Sequence, residues 1–284
     1  MEISAELRAK DQRLTEILQA MGRVMVAFSG GVDSTFVLKR ALDVLGKEQV
    51  LAVTAASETF PTREFEAAVR LAEQIGAPLY RTEIKELENA NFVANNPDRC
   101  YYCKTGLYSH MQNLAKEMGY PYILDGSNVD DLGDYRPGLK AKNEQGVRSV
   151  LQEAGFRKDE IRRLAKELGL PNWNKPSFAC LSSRIPYGTK IEKAKIDQLD
   201  AAELYLINLG LNQIRVRHHG DIARIEVTPD EIHKVIEWRE QIHEKFTALG
   251  FTYVTLDLMG YRTGSMNEVL GARTKAKVKE ASIS

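Results

Sequence analysis

The seven residues Ser29-Gly30-Gly31-Val32-Asp33-Ser34-Thr35 lie between an apolar run, Val24 to Phe28, and a stretch patterned like a helix from Phe36 to Leu42. Nothing else in the chain limits its fold as strongly. A helix leaves its first N–H groups unpaired and its dipole favours negative charge there, so a strand that ends in glycines and opens a helix forms an anion site. Gly30 and Gly31 let backbone approach phosphate oxygens without a Cβ in the way. Ser29, Ser34 and Thr35 add hydroxyl donors, and Asp33 is placed to cap the helix or to hold Mg²⁺ on bound phosphates. For the glycines alone, a tight strand-to-helix turn with an aspartate cap explains as much.

The surrounding pattern alternates. An amphipathic helix is expected over 7–20, further helices to Leu45 and over 62–75 and 104–118, and strands over 50–55, 79–84 and 122–124. This alternation predicts an α/β fold with a doubly wound parallel sheet. Helices follow over 144–154 and 158–168, until Leu170-Pro171 through Lys175-Pro176 breaks them. Beyond lie a helix (192–209), two strands (213–217 and 222–227) joined by a His218-His219-Gly220-Asp221 hairpin turn, a helix (230–249) and a strand (252–258), a smaller α+β unit. The division is placed at 1–175 and 176–284, and the polar, Lys-rich tail from Thr274 is expected to fray.

Composition narrows the function classes. Among 284 residues, 39 Lys+Arg balance 39 Asp+Glu, so no general attraction to nucleic acid or to an acidic membrane surface is expected. No run approaches the ~18 apolar residues of a membrane span, and a cytoplasmic protein is expected. The three cysteines, an odd number, argue against a disulfide framework. Cys100 and Cys103 fall at a predicted helix start, where the dipole is expected to favour thiolate. Cys180 is remote. Three thiolates suit a [4Fe–4S] cluster with one iron open, zinc with His110 or His218 as fourth ligand, or a redox pair beside a buried cysteine. These alternatives stay open on spacing.

Arg215 and Arg217 alternate on a predicted strand, so both can grip one phosphate or line an exposed polar face. Arg184 and Lys104 are candidates to neutralise a bound anion, or are solvated charges. Trp173 reads as a packed loop aromatic rather than a stacking platform for a ligand ring, and His218 and His219 read as turn residues. Asp221 and Glu226 are weak candidates for a second cation.

The glycine loop lacks the Walker A lysine and the wider dinucleotide glycine spacing. It resembles the SGGxDS signature of the PP-loop ATP pyrophosphatases, which adenylate a substrate oxygen and release pyrophosphate. The resemblance implies that Ser29, Gly30, Gly31, Asp33 and Ser34 hold the pyrophosphate. Asp125-Gly126-Ser127-Asn128, with Asp130 and Asp131 after it, is similar to that family's second loop and adds Gly126 to the nucleotide contacts.

The stretches 134–141, 172–176, 182–189, 215–226 and 253–258 then resemble the LarE family. That resemblance implies an ATP-dependent sulfurtransferase that turns both carboxylates of pyridinium-3,5-biscarboxylic acid mononucleotide into thiocarboxylates for the nickel-pincer nucleotide cofactor of lactate racemase and related enzymes. It implies ATP, Mg²⁺ and a [4Fe–4S] cluster on Cys100, Cys103 and Cys180 as cofactors. Asp33 and the three cysteines become the catalytic set, and Arg215, Arg217, Arg184 and Lys104 the grip on substrate phosphate. Members with one cysteine, at the place of Cys180, surrender its sulfur and keep dehydroalanine; three cysteines imply the multiple-turnover version, fed by sulfide or another donor. A hexamer of two trimers is implied too. The competing readings are a tRNA thiolase of the PP-loop family and a non-enzymatic nucleotide sensor with a redox-active metal site.

Overall fold

The computed structural model describes residues 4–133, 137–176, 178–262 and 264–271. Helix α1 (Ala5–Met21) starts at Ser4, whose hydroxyl accepts from Leu7 N, and buries Leu7, Leu14 and Leu18 along one stripe. Then come β1 (Val24–Ala27), α2 (Val32–Leu45), β2 (Val50–Ser57), α3 (Thr62–Gln74), β3 (Leu79–Ile84), α4 (Ala90–Val93), α5 (Arg99–Met118) and β4 (Tyr122–Leu124). The four strands are parallel in the order β3-β2-β1-β4, with Val24 paired to Val50 on one side and Tyr122 on the other. Val24, Met25 and Val26 are buried on both faces of the sheet, which is why their run is apolar without alternation.

Helices cover both faces. Phe36, Leu38, Leu14 and Phe156 lie in one core, while Met25, Val53, Met111 and Ile123 form another beneath α5. The α/β doubly wound expectation therefore holds. Its order reverses at β1, which has β2 on one side and β4 on the other, so the loops after β1 and β4 meet at a topological switch point.

Helices α6 (Gly138–Glu144), α7 (Val150–Glu153), α8 (Lys158–Glu167) and α9 (Lys193–Asn208) lead to β5 (Arg215–His219), β6 (Ile222–Glu226), α10 (Ile232–Glu237), α11 (Arg239–Ala248) and β7 (Tyr253–Leu256). In this smaller sheet β5 is antiparallel to β6 and β7 parallel to it. Leu199, Val216, Ile225 and Phe246 share its core with Phe92 from α4 and with Leu181 and Ile185, so that core reaches the segment just before α5.

Local boundaries differ from expectation in four places. Helix α5 begins at Arg99, so Cys100 and Cys103 lie inside it. No continuous helix spans 144–154, because Gly146 has φ +62° and Arg148 pairs its backbone with Ile123 and Asp125 at the sheet edge. The helix expected over 230–249 divides at Trp238. His218 and His219 are strand residues, leaving only Gly220-Asp221 at the turn. Asp134-Tyr135-Arg136, Ser177 and the tail from Thr274 lie outside the described residues. No described helix is long and apolar enough to cross a membrane.

Candidate active site

The loop after β1 is held by its own hydroxyls. Ser29 and Ser34 share a hydrogen bond (3.2 Å), while Ser34 and Thr35 both donate to Gly31 O, at 3.1 and 2.8 Å. Gly31 caps α2 without a side chain, so the first helical N–H groups face outward uncapped. Gly30 sits at φ +68°, and a Cβ there would meet Ala68 Cβ at 2.8 Å. The loop after β4 comes just as close: a Cβ on Gly126 would lie 2.7 Å from Ser34 N. The two glycine loops thus flank one helix terminus, the arrangement that binds polyanions.

Asp33 faces this cradle. Its carboxylate pairs with Lys158 at the start of α8, and Oδ1 is buried without a hydrogen-bond partner. Burial raises the Asp33 pKa above the ordinary aspartate value, against the lowering effect of Lys158. An orphaned carboxylate oxygen beside an anion cradle fits a phosphate-bound Mg²⁺. Asn172 Nδ2 donates to Gly30 O (3.1 Å) and Thr35 Oγ1 (2.9 Å), and Lys175 pairs with Glu64 at 2.7 Å. Asp125 anchors the second loop by accepting from Ser127 N (3.1 Å), Ser127 Oγ (2.6 Å) and Ser149 Oγ.

The cysteines form the other half of the site. Cys100, Cys103 and Cys180 are unbridged and half-buried, and both helical thiols lie near enough to Cys180 to feel its charge. The expectation that the helix dipole makes them thiolates fails. Burial raises both pKa values, that of Cys103 strongly, because desolvation disfavours the charged sulfur more than the helix start favours it. Glu86 reinforces this at Cys103, whose Sγ donates to Glu86 Oε1 at 2.8 Å. Cys180 Sγ shares a 2.9 Å hydrogen bond with Ser182 Oγ.

Two cations border the thiols. Arg99 is buried beside Cys100 and Cys180. Lys104 lies over the Tyr108 ring, 5.5 Å from its centroid, and the field of Tyr108, then of Cys103, Asp125 and Cys100, raises its pKa. Burial pushes the Tyr108 hydroxyl up to about 12. Lys104 therefore lies in the field of both Asp125 in the second glycine loop and the helical cysteines. Among the described residues no three His, Cys, Asp or Glu side chains converge as a single metal ion requires. His110 bonds to Thr82 and His218 to Gln198, so neither is aimed at the thiols as a zinc ligand.

The arginines are further inside than an exposed grip would be. Arg184 is fully buried and forks onto Glu203 at 2.8 and 3.0 Å, its remaining amino group donating to the carbonyls of Ala179 (2.6 Å) and Cys180 (3.1 Å). Its guanidinium positions the cysteine segment and presents no accessible face to a phosphate. Arg217 pairs with Glu226 (2.7 Å) and donates to Ser183 O (3.2 Å), which also removes Glu226 from the second-cation candidates. Arg215 stacks over Tyr261, and burial followed by the field of Arg184 pushes its pKa down to about 10. Trp173 packs at the edge of the larger core beneath Lys166, as a loop aromatic.

Glu86, Asn95, Arg99, Ser149 and Lys158 carry no motif, and sequence reasoning passes over them. The run Asn172 to Lys175 shows in the sequence as a family-like stretch without roles.

Comparison with known proteins agrees with this geometry. The NAD synthase family model matches residues 7–104, the part that carries the glycine loop. The pyridinium-3,5-bisthiocarboxylic acid mononucleotide synthase of Lactiplantibacillus plantarum is 47% identical over 274 residues, covering 96% of this chain and 98% of that protein. The tRNA-specific 2-thiouridylase MnmA of Desulforamulus reducens is 25% identical over 193 residues, 54% of this chain and 53% of that one. A chain of the glutamine-hydrolysing GMP synthase of Sulfurisphaera tokodaii is 25% identical over 301 residues, 87% of this chain and 79% of its own. The chain belongs to the LarE family, within the PP-loop ATP pyrophosphatases.

Proposed function

We propose that this member of the LarE family is an ATP-dependent sulfurtransferase acting on both carboxylates of pyridinium-3,5-biscarboxylic acid mononucleotide, on the way to the nickel-pincer nucleotide cofactor. The observation that carries this is an anion cradle in a chain that keeps three unbridged cysteines and is 47% identical to a synthase of the bisthiocarboxylic product. A carboxylate oxygen attacks the α-phosphorus of ATP, the bond to the β-phosphate oxygen breaks, and pyrophosphate leaves onto the N–H groups after Gly31; Asp33 would hold a Mg²⁺ that neutralises its charge. Preorganised donors there oppose the charge that develops on the leaving group. A sulfur nucleophile then forms the carbon–sulfur bond and AMP departs. The buried arginines Arg215 and Arg217 supply positive field for the substrate phosphate, and Arg184 holds the Cys180 segment in place.

Three thiols bordered by Arg99 and Lys104 fit an anionic, thiolate-held [4Fe–4S] cluster better than a single ion, so Cys100, Cys103 and Cys180 are assigned as its ligands. When bound, such a cluster supplies a labile sulfide at its open iron. In this reading residues 1–175 use ATP, residues 176–284 serve sulfur transfer and assembly into a hexamer of two trimers, and the site works in a reducing cytoplasm. The protonated state favoured at Cys100 and Cys103 supports a second reading, in which Cys180 gives up its own sulfur once. Iron and acid-labile sulfide per chain after anaerobic reconstitution separate the two. About four of each, lost in Cys100→Ala, Cys103→Ala or Cys180→Ala, supports the cluster. Negligible iron with AMP release and dehydroalanine at position 180 supports the sacrificial route. A steeply salt-dependent tRNA affinity would favour a tRNA thiolase instead.

A further inference from the structure

Asn95 is the one described non-glycine residue with positive φ (+55°), and it is fully buried. Asparagine tolerates that conformation better than most residues, yet a buried one is ordinarily held there by its bonds. Its side-chain amide nitrogen and its backbone carbonyl reach one segment of chain. Nδ2 donates to the carbonyls of Ile185 (3.3 Å), Pro186 (2.8 Å) and Thr189 (2.8 Å), and its own carbonyl accepts from Gly188 N at 2.9 Å. Two residues earlier, Val93 O accepts from Ile191 N at 3.0 Å. Oδ1 accepts from Arg99 Nη1, which also donates to Ser182 O at 3.0 Å.

The two segments are about 90 residues apart in sequence. One runs directly into the helix of Cys100 and Cys103, and the other follows Cys180. We infer that Asn95, acting with Arg99, is the positioning residue that latches the Cys180 segment to helix α5 and so makes one site of three thiols. The latch rests on the reading of the three cysteines as one sulfur site, and it assigns Asn95 no contact with substrate.

The test uses the full chain, metal-free, and does not depend on turnover. Diamide oxidises pairs of neighbouring thiols to disulfides and is itself reduced to the hydrazine, and peptide mapping reads the partner of Cys180. Asn95→Gly keeps the positive φ without strain and removes every side-chain bond. In the wild type, Cys180 is expected to couple to Cys100 or Cys103. In Asn95→Gly that coupling slows by about a hundredfold, the scale on which a misplacement of ~1 Å acts on reacting groups. The first-turnover release of pyrophosphate from ATP and substrate, which belongs to the loops after β1 and β4 and precedes any attack by sulfur, stays within about twofold of wild type in the same variant. Should Asn95→Gly fail to fold, Arg99→Lys removes the Nη1 group that bridges Asn95 Oδ1 and Ser182 O and is read by the same mapping. Coupling at the wild-type rate in the folded variant overturns the latch alone. No coupling in the wild type overturns the shared sulfur site, and the latch with it.

Discussion

The two halves of the site are built from different materials. The nucleotide half is mostly backbone: two glycine loops and the uncapped start of α2 converge within a few ångströms, tied by short-range hydroxyl bonds between residues 29 and 35. The cysteine half, proposed to supply sulfur, is mostly side chain: Glu86, Asn95, Arg99, Arg184, Glu203 and Arg217 hold the cysteine segments through buried polar contacts between distant parts of the chain. A backbone cradle can lose a ligand-binding group and keep its fold, whereas a buried ionic scaffold that loses one partner strands the other in low dielectric. Damage to the first half should therefore appear in activity, and damage to the second in stability.

The largest test of that contrast is Glu203→Gln. Arg184 and Glu203 are 0% and 2% exposed, and stranding the guanidinium should lower unfolding free energy by about 3–5 kcal/mol in urea titrations. The pair also has a pH signature. Although burial alone would raise the Glu203 pKa, Arg184 and the Val216 N–H hold it below the ordinary value. A depressed folded pKa gives stability that is complete above the unfolded glutamate pKa and lost as pH falls through the folded one. The gap between wild type and variant should accordingly narrow in acid below about pH 4. A constant gap would mean that packing, not charge, is what the substitution removes.

Asp33→Ala should do the opposite, cutting AMP release by about a hundredfold to a thousandfold while the melting temperature and thiol count hold. Loss of fold in this variant would erase the contrast. Gly126→Ala comes next: the 2.7 Å approach to Ser34 N leaves no room, so a shift of the second loop costing about 1–3 kcal/mol should weaken ATP use and spare cysteine coupling. The smallest effect is electrostatic. Lys158 lowers the Asp33 pKa, so Lys158→Ala should move the acid limb of AMP release upward, modestly because the pair is partly exposed. A limb that stays put or moves down would show that another group sets it.

How much of each half is legible in the sequence follows from the same contrast. The glycine loop can be read because strand, glycines, hydroxyls and helix start are contiguous, and Asp125-Gly126 because it follows a short apolar strand. The helix of Cys100 and Cys103 starts earlier than its pattern suggests, since Arg99 looks like a surface charge until its partners are known. For the same reason Arg184 reads as a substrate contact: a lone arginine in sequence gives no sign that Glu203 waits behind it in the fold. The thiol pKa directions run against the sequence expectation because the dipole is a property of the helix, whereas burial is a property of what packs on it.

Sequence alone determined the parallel α/β unit, the anion cradle at its switch point and the presence of three thiols, since each rests on periodicity or on neighbouring residues. Tertiary structure decided that the segment after Cys180 is bonded to the one before the helix of Cys100 and Cys103, that the arginines are buried scaffold rather than an open grip, and that Asn95 takes a left-handed turn. Those outcomes depend on which distant side chains can satisfy one another once water is excluded, a condition that no local pattern encodes.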